Sequence, residues 1–135
     1  MASSITSPLR GRVLYIEDNR TNIYLLQSWA EQFEDLELLV AETGEEGLAR
    51  YEQERPNAVI LDLSLPDMPG AEVLRRLRLV PRERAVPIAV LSGFTAAEHV
   101  QASIRGGAVA YWTKPVDLMR LEQDLTELLS SAQAD

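Results

Sequence analysis

The chain contains no cysteine, so it forms neither disulfides nor thiolate metal sites. It has a single histidine, which leaves oxygen as the ligand chemistry present in number. Its longest apolar run, Ala108 to Trp112, is far too short to span a bilayer. The stretch 1–11 lacks the apolar core of a signal peptide and reads as a flexible leader. Basic residues are scarce. Lys and Arg number 13 against 21 Asp and Glu, a net charge of −8. That argues against the basic surface a nucleic-acid partner requires. The surplus acids either serve solubility or gather around a cation, and composition does not separate the two. With no disulfide and no membrane segment, a cytoplasmic location is the expectation.

What is present suits one ordinary globular domain: 135 residues, 46% hydrophobic and 25% charged. We place the domain at 12–130, with a tail at 131–135. Val13–Ile16, Ala58–Leu61, Ile88–Leu91 and Ala108–Trp112 are continuous apolar runs, the pattern of parallel strands buried on both faces. Leu36–Ala41 is a weaker strand, expected near an edge. Helical stripes lie between them. Ile23, Leu26, Ala30 and Phe33 make one, with Leu25 and Trp29 beside it. Thr43 with Glu46, and Thr95 with Glu98, read as capping boxes opening two further helices. Val73, Leu74, Leu77 and Val80 form another face, ended by Pro81. Leu118, Leu121, Leu125 and Leu128 form the last. Five strand–helix repeats predict an α/β fold with a five-stranded parallel sheet, order 2-1-3-4-5, and helices on both faces. Sites in such sheets form at the carboxyl ends of the strands.

The polar residues fall there. Glu17 and Asp18 follow the first strand, Asp62 closes the third, Ser92 closes the fourth and Lys114 follows the fifth. Each has a plain alternative: an acidic pair suits a helix N-terminus, Ser92-Gly93 suits a turn, and Lys114 suits a solvated surface. Their conjunction on one sheet edge favours chemistry. Three carboxylates within ~5 Å repel by about 3 kcal/mol per pair at an effective dielectric near 20, so the cluster calls for a cation. Oxygen ligands favour Mg²⁺, with Mn²⁺ as a substitute. A carboxylate beside that ion and open to solvent is placed to attack a phosphoryl group.

Tyr15-Ile16-Glu17-Asp18-Asn19, Leu61-Asp62-Leu63-Ser64-Leu65-Pro66 with Gly70, Leu91-Ser92-Gly93 and Tyr111-Trp112-Thr113-Lys114-Pro115 together resemble the receiver domains of two-component response regulators. The resemblance runs from Arg12 to about Leu129. It implies a phosphoacceptor signalling domain rather than an enzyme, although self-phosphorylation from small donors and autodephosphorylation are expected. Asp62 resembles the phosphorylated residue. Asp18, Asp62, the carbonyl of Ser64 and, through water, Glu17 would hold Mg²⁺. Ser92 and Lys114 would contact the phosphoryl group, Tyr111 resembles the aromatic that moves with Ser92, and Lys114–Pro115 resembles a cis peptide. Glu17 stands where Asp is commoner and Ser92 where Thr is commoner; both keep the chemistry. The implied partner is a histidine kinase or a histidine phosphotransfer protein, with a downstream protein target, no nucleic acid and no membrane. The sequence is expected to be either a stand-alone regulator or a receiver from a larger protein.

Two other phosphate-handling readings fit less well. A haloacid-dehalogenase-type phosphatase resembles D-x-D, and Ser64 occupies the second acid's position. A flavodoxin-type carrier would need a hydroxyl- and glycine-rich loop where Glu17-Asp18-Asn19-Arg20 stands. A pure interaction module remains an alternative. Five expectations concern single positions, one helix edge or the cluster as a whole. Tyr15 is a buried strand aromatic and His99 a surface residue. Asn22, Leu25 and Trp29 line either a docking edge or, for the apolar pair, the core. Phe94 either shields the phosphoryl group from water or points away and packs against the fourth helix. Mutual repulsion raises the pKa values of Glu17, Asp18 and Asp62.

Overall fold

The computed structural model describes residues 9–93 and 96–133. Strands and helices alternate along the chain as β1 (Gly11–Ile16), α1 (Arg20–Ala30), β2 (Leu36–Ala41), α2 (Gly44–Glu54) and β3 (Ala58–Leu61). They continue as α3 (Gly70–Leu79), β4 (Ile88–Ser92), α4 (Ala97–Arg105), β5 (Ala110–Thr113) and α5 (Leu118–Gln133). Every strand pairing is parallel and the order is β2-β1-β3-β4-β5, as the sequence predicts.

Alternation along the strands divides the core in two. Val13, Tyr15, Ala58, Ile60, Ala89, Leu91 and Trp112 face α1 and α5 and pack on Leu26, Leu121 and Leu125. Leu14, Ile16, Val59, Leu61, Ile88 and Val90 face the other way, onto Tyr51, Val73, Leu74 and Leu77 of α2 and α3. Both strand faces are apolar because both are covered, which is why the strands read as continuous runs.

Local signals set the helix ends. Asn19 caps α1 by accepting the Asn22 amide at 3.0 Å. Thr43 caps α2 through the Glu46 amide, while the Glu46 carboxylate reaches back to the Glu42 amide at 2.8 Å. That is one residue beyond the reciprocal bond of a capping box. Val80 is extended, as a residue before proline prefers, and ends α3. Gly70 opens α3 where a Cβ would meet the Leu63 Cα at 2.4 Å, so this close approach admits no side chain.

Several boundaries differ from the sequence reading. Leu9 is buried in the core and Gly11 begins β1, so ordered chain extends into the expected leader. The helix α5 continues to Gln133, into the expected tail. The structure places the N-cap of α4 at Ala96, and the Thr95 expectation lies outside the described residues. The β5 ladder starts late because Ala108 is used in ending α4: its amide bonds the Ser103 carbonyl and Gly107 bonds Ile104, with Gly107 at φ +110°. Phe33 lies past the end of α1 yet stays in the core, edge-on to Trp29 at 5.0 Å between centroids. Among the described residues, no helix is long and apolar enough to cross a membrane.

Candidate functional site

Strand register assembles the site. Ile16 pairs with Leu61, and the Asp62 amide bonds the Ile16 carbonyl at 3.0 Å, so Asp62 emerges beside Glu17. Ser92 pairs with Thr113, and the Lys114 amide bonds the Ser92 carbonyl at 2.9 Å. Glu17, Asp62 and Lys114 continue the alternation of Tyr15, Ile60 and Trp112, so all three side chains fall on the α1/α5 side. Ser92 continues that of Ile88 and Val90 on the other side, where half-buried Tyr111 also packs.

The side chains meet closely. Lys114 Nζ lies 2.8 Å from Glu17 Oε1 and 3.2 Å from Asp62 Oδ2. The Ser64 amide donates to Asp62 Oδ1 at 3.1 Å. Glu17, Asp18 and Asp62 each offer a carboxylate oxygen, all within 4.8 Å of one another. Among the described residues this is the group fitted to hold a metal ion, and its all-oxygen donors suit a hard divalent cation such as Mg²⁺. Asp18 is exposed, whereas Asp62 is only 3% exposed and Glu17 fully buried. The carboxylate read as nucleophile is therefore not open to solvent, and it lies in contact with the Lys114 ammonium.

Electrostatics divides the acids. Burial pushes the Asp62 carboxyl up, and its hydrogen bond to Glu17 pushes it further, against the Ser64 amide and Lys114; it rises to about 6. Burial also works to raise Glu17, but hydrogen bonds from Asp62, Lys114, Tyr15 and the Asn19 amide prevail and hold it below its usual range. The expectation that repulsion raises all three acids fails for Glu17: Asp62 is raised and Glu17 lowered, so as pH falls Asp62 takes up a proton before Glu17 does. Burial opposes the charge on Lys114, but Glu17 and Asp62 more than compensate, and its pKa rises. The ammonium is therefore fixed as a cation.

Sequence reasoning missed three supporting groups. The Tyr15 hydroxyl donates to Glu17 Oε1 at 2.9 Å. Asn22 Nδ2 approaches the same oxygen at 3.4 Å, and the Asn19 amide donates to Oε2 at 3.2 Å. The two-residue strand period was the available signal for Tyr15, since it places positions 15 and 17 on one face. Of the proposed docking residues, Leu25 is 42% exposed while Trp29 is buried, so Trp29 belongs to the core. His99 is exposed on α4, outside the cluster. Phe94 lies outside the described residues. The Lys114–Pro115 peptide is cis, as the resemblance implies.

A doubly covered parallel sheet with acids and a lysine at its carboxyl edge defines a CheY-like, flavodoxin-type domain. The response regulator receiver domain family matches residues 13–126, and the chain belongs to it. It is 29% identical to the protein PilH of Pseudomonas aeruginosa over 88% of this chain and 98% of that one. It is 27% identical to the polar-differentiation response regulator DivK of Brucella anthropi, over 89% and 97% of the two chains. A CheY-like response regulator receiver domain from Methanospirillum hungatei superposes with a TM-score of 0.82 at 30% identity, covering 92% and 97%. The chain is thus a receiver domain of the two-component type, a signalling module.

Proposed function

We propose that Asp62 is the phosphoacceptor and takes a phosphoryl group from a phosphohistidine on a histidine kinase or phosphotransfer protein. The observation that carries this reading is the contact of the Lys114 ammonium with a buried Asp62 beside two further acids. In the reaction an Asp62 carboxylate oxygen forms a bond to phosphorus as the phosphorus–nitrogen bond breaks. The electron pair of that bond leaves with the imidazole, which departs neutral when its other ring nitrogen already carries a proton and otherwise takes a proton from water to become neutral. Glu17, Asp18, Asp62 and the Ser64 carbonyl would hold Mg²⁺, which supplies neutralising charge for the acids and the phosphoryl oxygens when bound. Lys114 offers its ammonium to a phosphoryl oxygen, and Ser92 donates its hydroxyl to another. Movement of Ser92 frees space for Tyr111, which packs on the same side of the sheet, and shifts an existing equilibrium between two surfaces.

Incubation with acetyl phosphate tests this. Mg²⁺-dependent uptake of one phosphoryl group is expected, and excess EDTA abolishes it. Rapid multiple turnover of the donor, or a yellow cofactor on the purified protein, would instead favour the phosphatase or flavodoxin readings.

A further inference from the structure

We propose that Tyr15 is a positioning residue for the metal site, its phenol holding the Glu17 carboxylate in the orientation that receives the ion. The inference rests on the reading of Glu17 as part of that site. Glu17 is fully buried, and a buried carboxylate needs its lone pairs filled. Its Oε1 receives Tyr15 at 2.9 Å and Lys114 at 2.8 Å, with Asn22 more distant at 3.4 Å; its Oε2 receives the Asn19 amide at 3.2 Å.

These donors are not equivalent. Lys114 also touches Asp62 and turns toward a phosphoryl group once one is present, which weakens its hold on Glu17. Tyr15 has no such alternative. Its ring is fully buried among Leu26, Leu121 and Leu125 in the α1/α5 core. Residues two apart on a strand are separated by ~6.6 Å on the same face, a span that the phenol and the long Glu17 side chain close between them. The phenol has a single proton to give, and it is directed at Glu17 Oε1. The longer acid at this position and the tyrosine thus form one device: the extra methylene lets the carboxylate reach back to the hydroxyl. Groups that orient a metal-ligating side chain from behind contribute about 10- to 100-fold to metal affinity.

Calorimetric titration with MgCl₂ tests the assignment on the whole chain. Tyr15→Phe keeps the ring and removes only the hydroxyl, and should weaken Mg²⁺ binding about tenfold. Phosphorylation by acetyl phosphate should then need proportionately more Mg²⁺ but reach the wild-type maximal rate. Tyr51→Phe, at a buried tyrosine on the other face of the sheet, should change neither. In a Glu17→Asp background, where the shortened acid no longer reaches the phenol, Tyr15→Phe should have no further effect. Unchanged affinity in Tyr15→Phe, or an equal loss in the Glu17→Asp background, overturns the proposal. A wild-type protein that binds no Mg²⁺ overturns the metal site itself. A measurement without substitution guards against a poorly folding variant. The wild-type Tyr15 hydroxyl proton should exchange slowly and its NMR signal shift with added MgCl₂, and a signal that does not move with the metal contradicts the coupling.

Discussion

Asp67 in the loop after β3 is tied to Gly44 at the start of α2, accepting its amide at 2.8 Å and that of Glu45 at 2.9 Å. The loop that carries Asp62 and Ser64 is thereby fastened to a neighbouring helix end. Two free amides and the helix dipole favour a carboxylate there. Gly44 leaves room for the adjoining Met68, whose Cγ would lie 2.8 Å from a Cβ at that position.

Loss of this tie should cost stability. Asp67→Ala should lower the unfolding free energy by about 1 kcal/mol, the scale of a lost helix cap, in urea melts at pH 7. Burial pushes the Asp67 carboxyl up, but the backbone amides, those of Gly44 and Glu45 first, together prevail and depress its pKa. A depressed folded value means the contribution is present above the unfolded pKa, near 4, and is lost as pH falls through the folded value. The gap between variant and wild type should therefore close in acid. A gap that persists there would show that the tie is not electrostatic.

Asp62 has the opposite sign. Its folded pKa, about 6, exceeds the unfolded value near 4. Its protonated form stabilises the fold below the unfolded pKa, and that contribution is lost as pH rises from about 4 through 6. Asp62→Asn should therefore raise the Tm in EDTA at pH 7, and the gain should vanish below about pH 4. Millimolar Mg²⁺ should raise the wild-type Tm and do little for Asp62→Asn. Thermal melts across this range, with and without Mg²⁺, check both statements.

The exposed edge of α1 separates two roles. Trp29→Ala should cost about 3–5 kcal/mol, as removal of a buried tryptophan does. Leu25→Ala, at a 42% exposed position, should leave stability nearly unchanged. If Leu25 meets the phosphohistidine partner, the same change slows transfer from that donor and spares acetyl phosphate. An equal loss with both donors would remove Leu25 from the docking surface.

The sequence was most legible where residue type conflicts with its surroundings. Glu17, Asp62 and Lys114 stand at the ends of apolar runs, and strand order alone brings them to one edge. Tyr15 gave no such conflict: an aromatic in a buried strand already has a sufficient explanation, so its hydroxyl went unread. Trp29 and Leu25 sit on neighbouring edges of one helix, and only the packed structure shows which edge α1 turns inward. The start of β5 was obscured because Ala108 is apolar like the strand but is taken by the turn that ends α4. The separation of Glu17 from Asp62 in pKa depends on Asp62, Lys114, Tyr15 and Asn19 converging on Glu17 at angstrom distances. Pairwise repulsion between acids, the only term visible in the sequence, has the wrong sign for Glu17.

The central claim is that Asp62 carries the phosphoryl group. Mass spectrometric mapping after reaction with acetyl phosphate and Mg²⁺ tests it most directly. The account predicts one acid-stable, base-labile adduct, on the peptide containing Asp62, and no adduct in Asp62→Ala. An adduct on another residue of the wild-type protein, or undiminished labelling of Asp62→Ala, would contradict it.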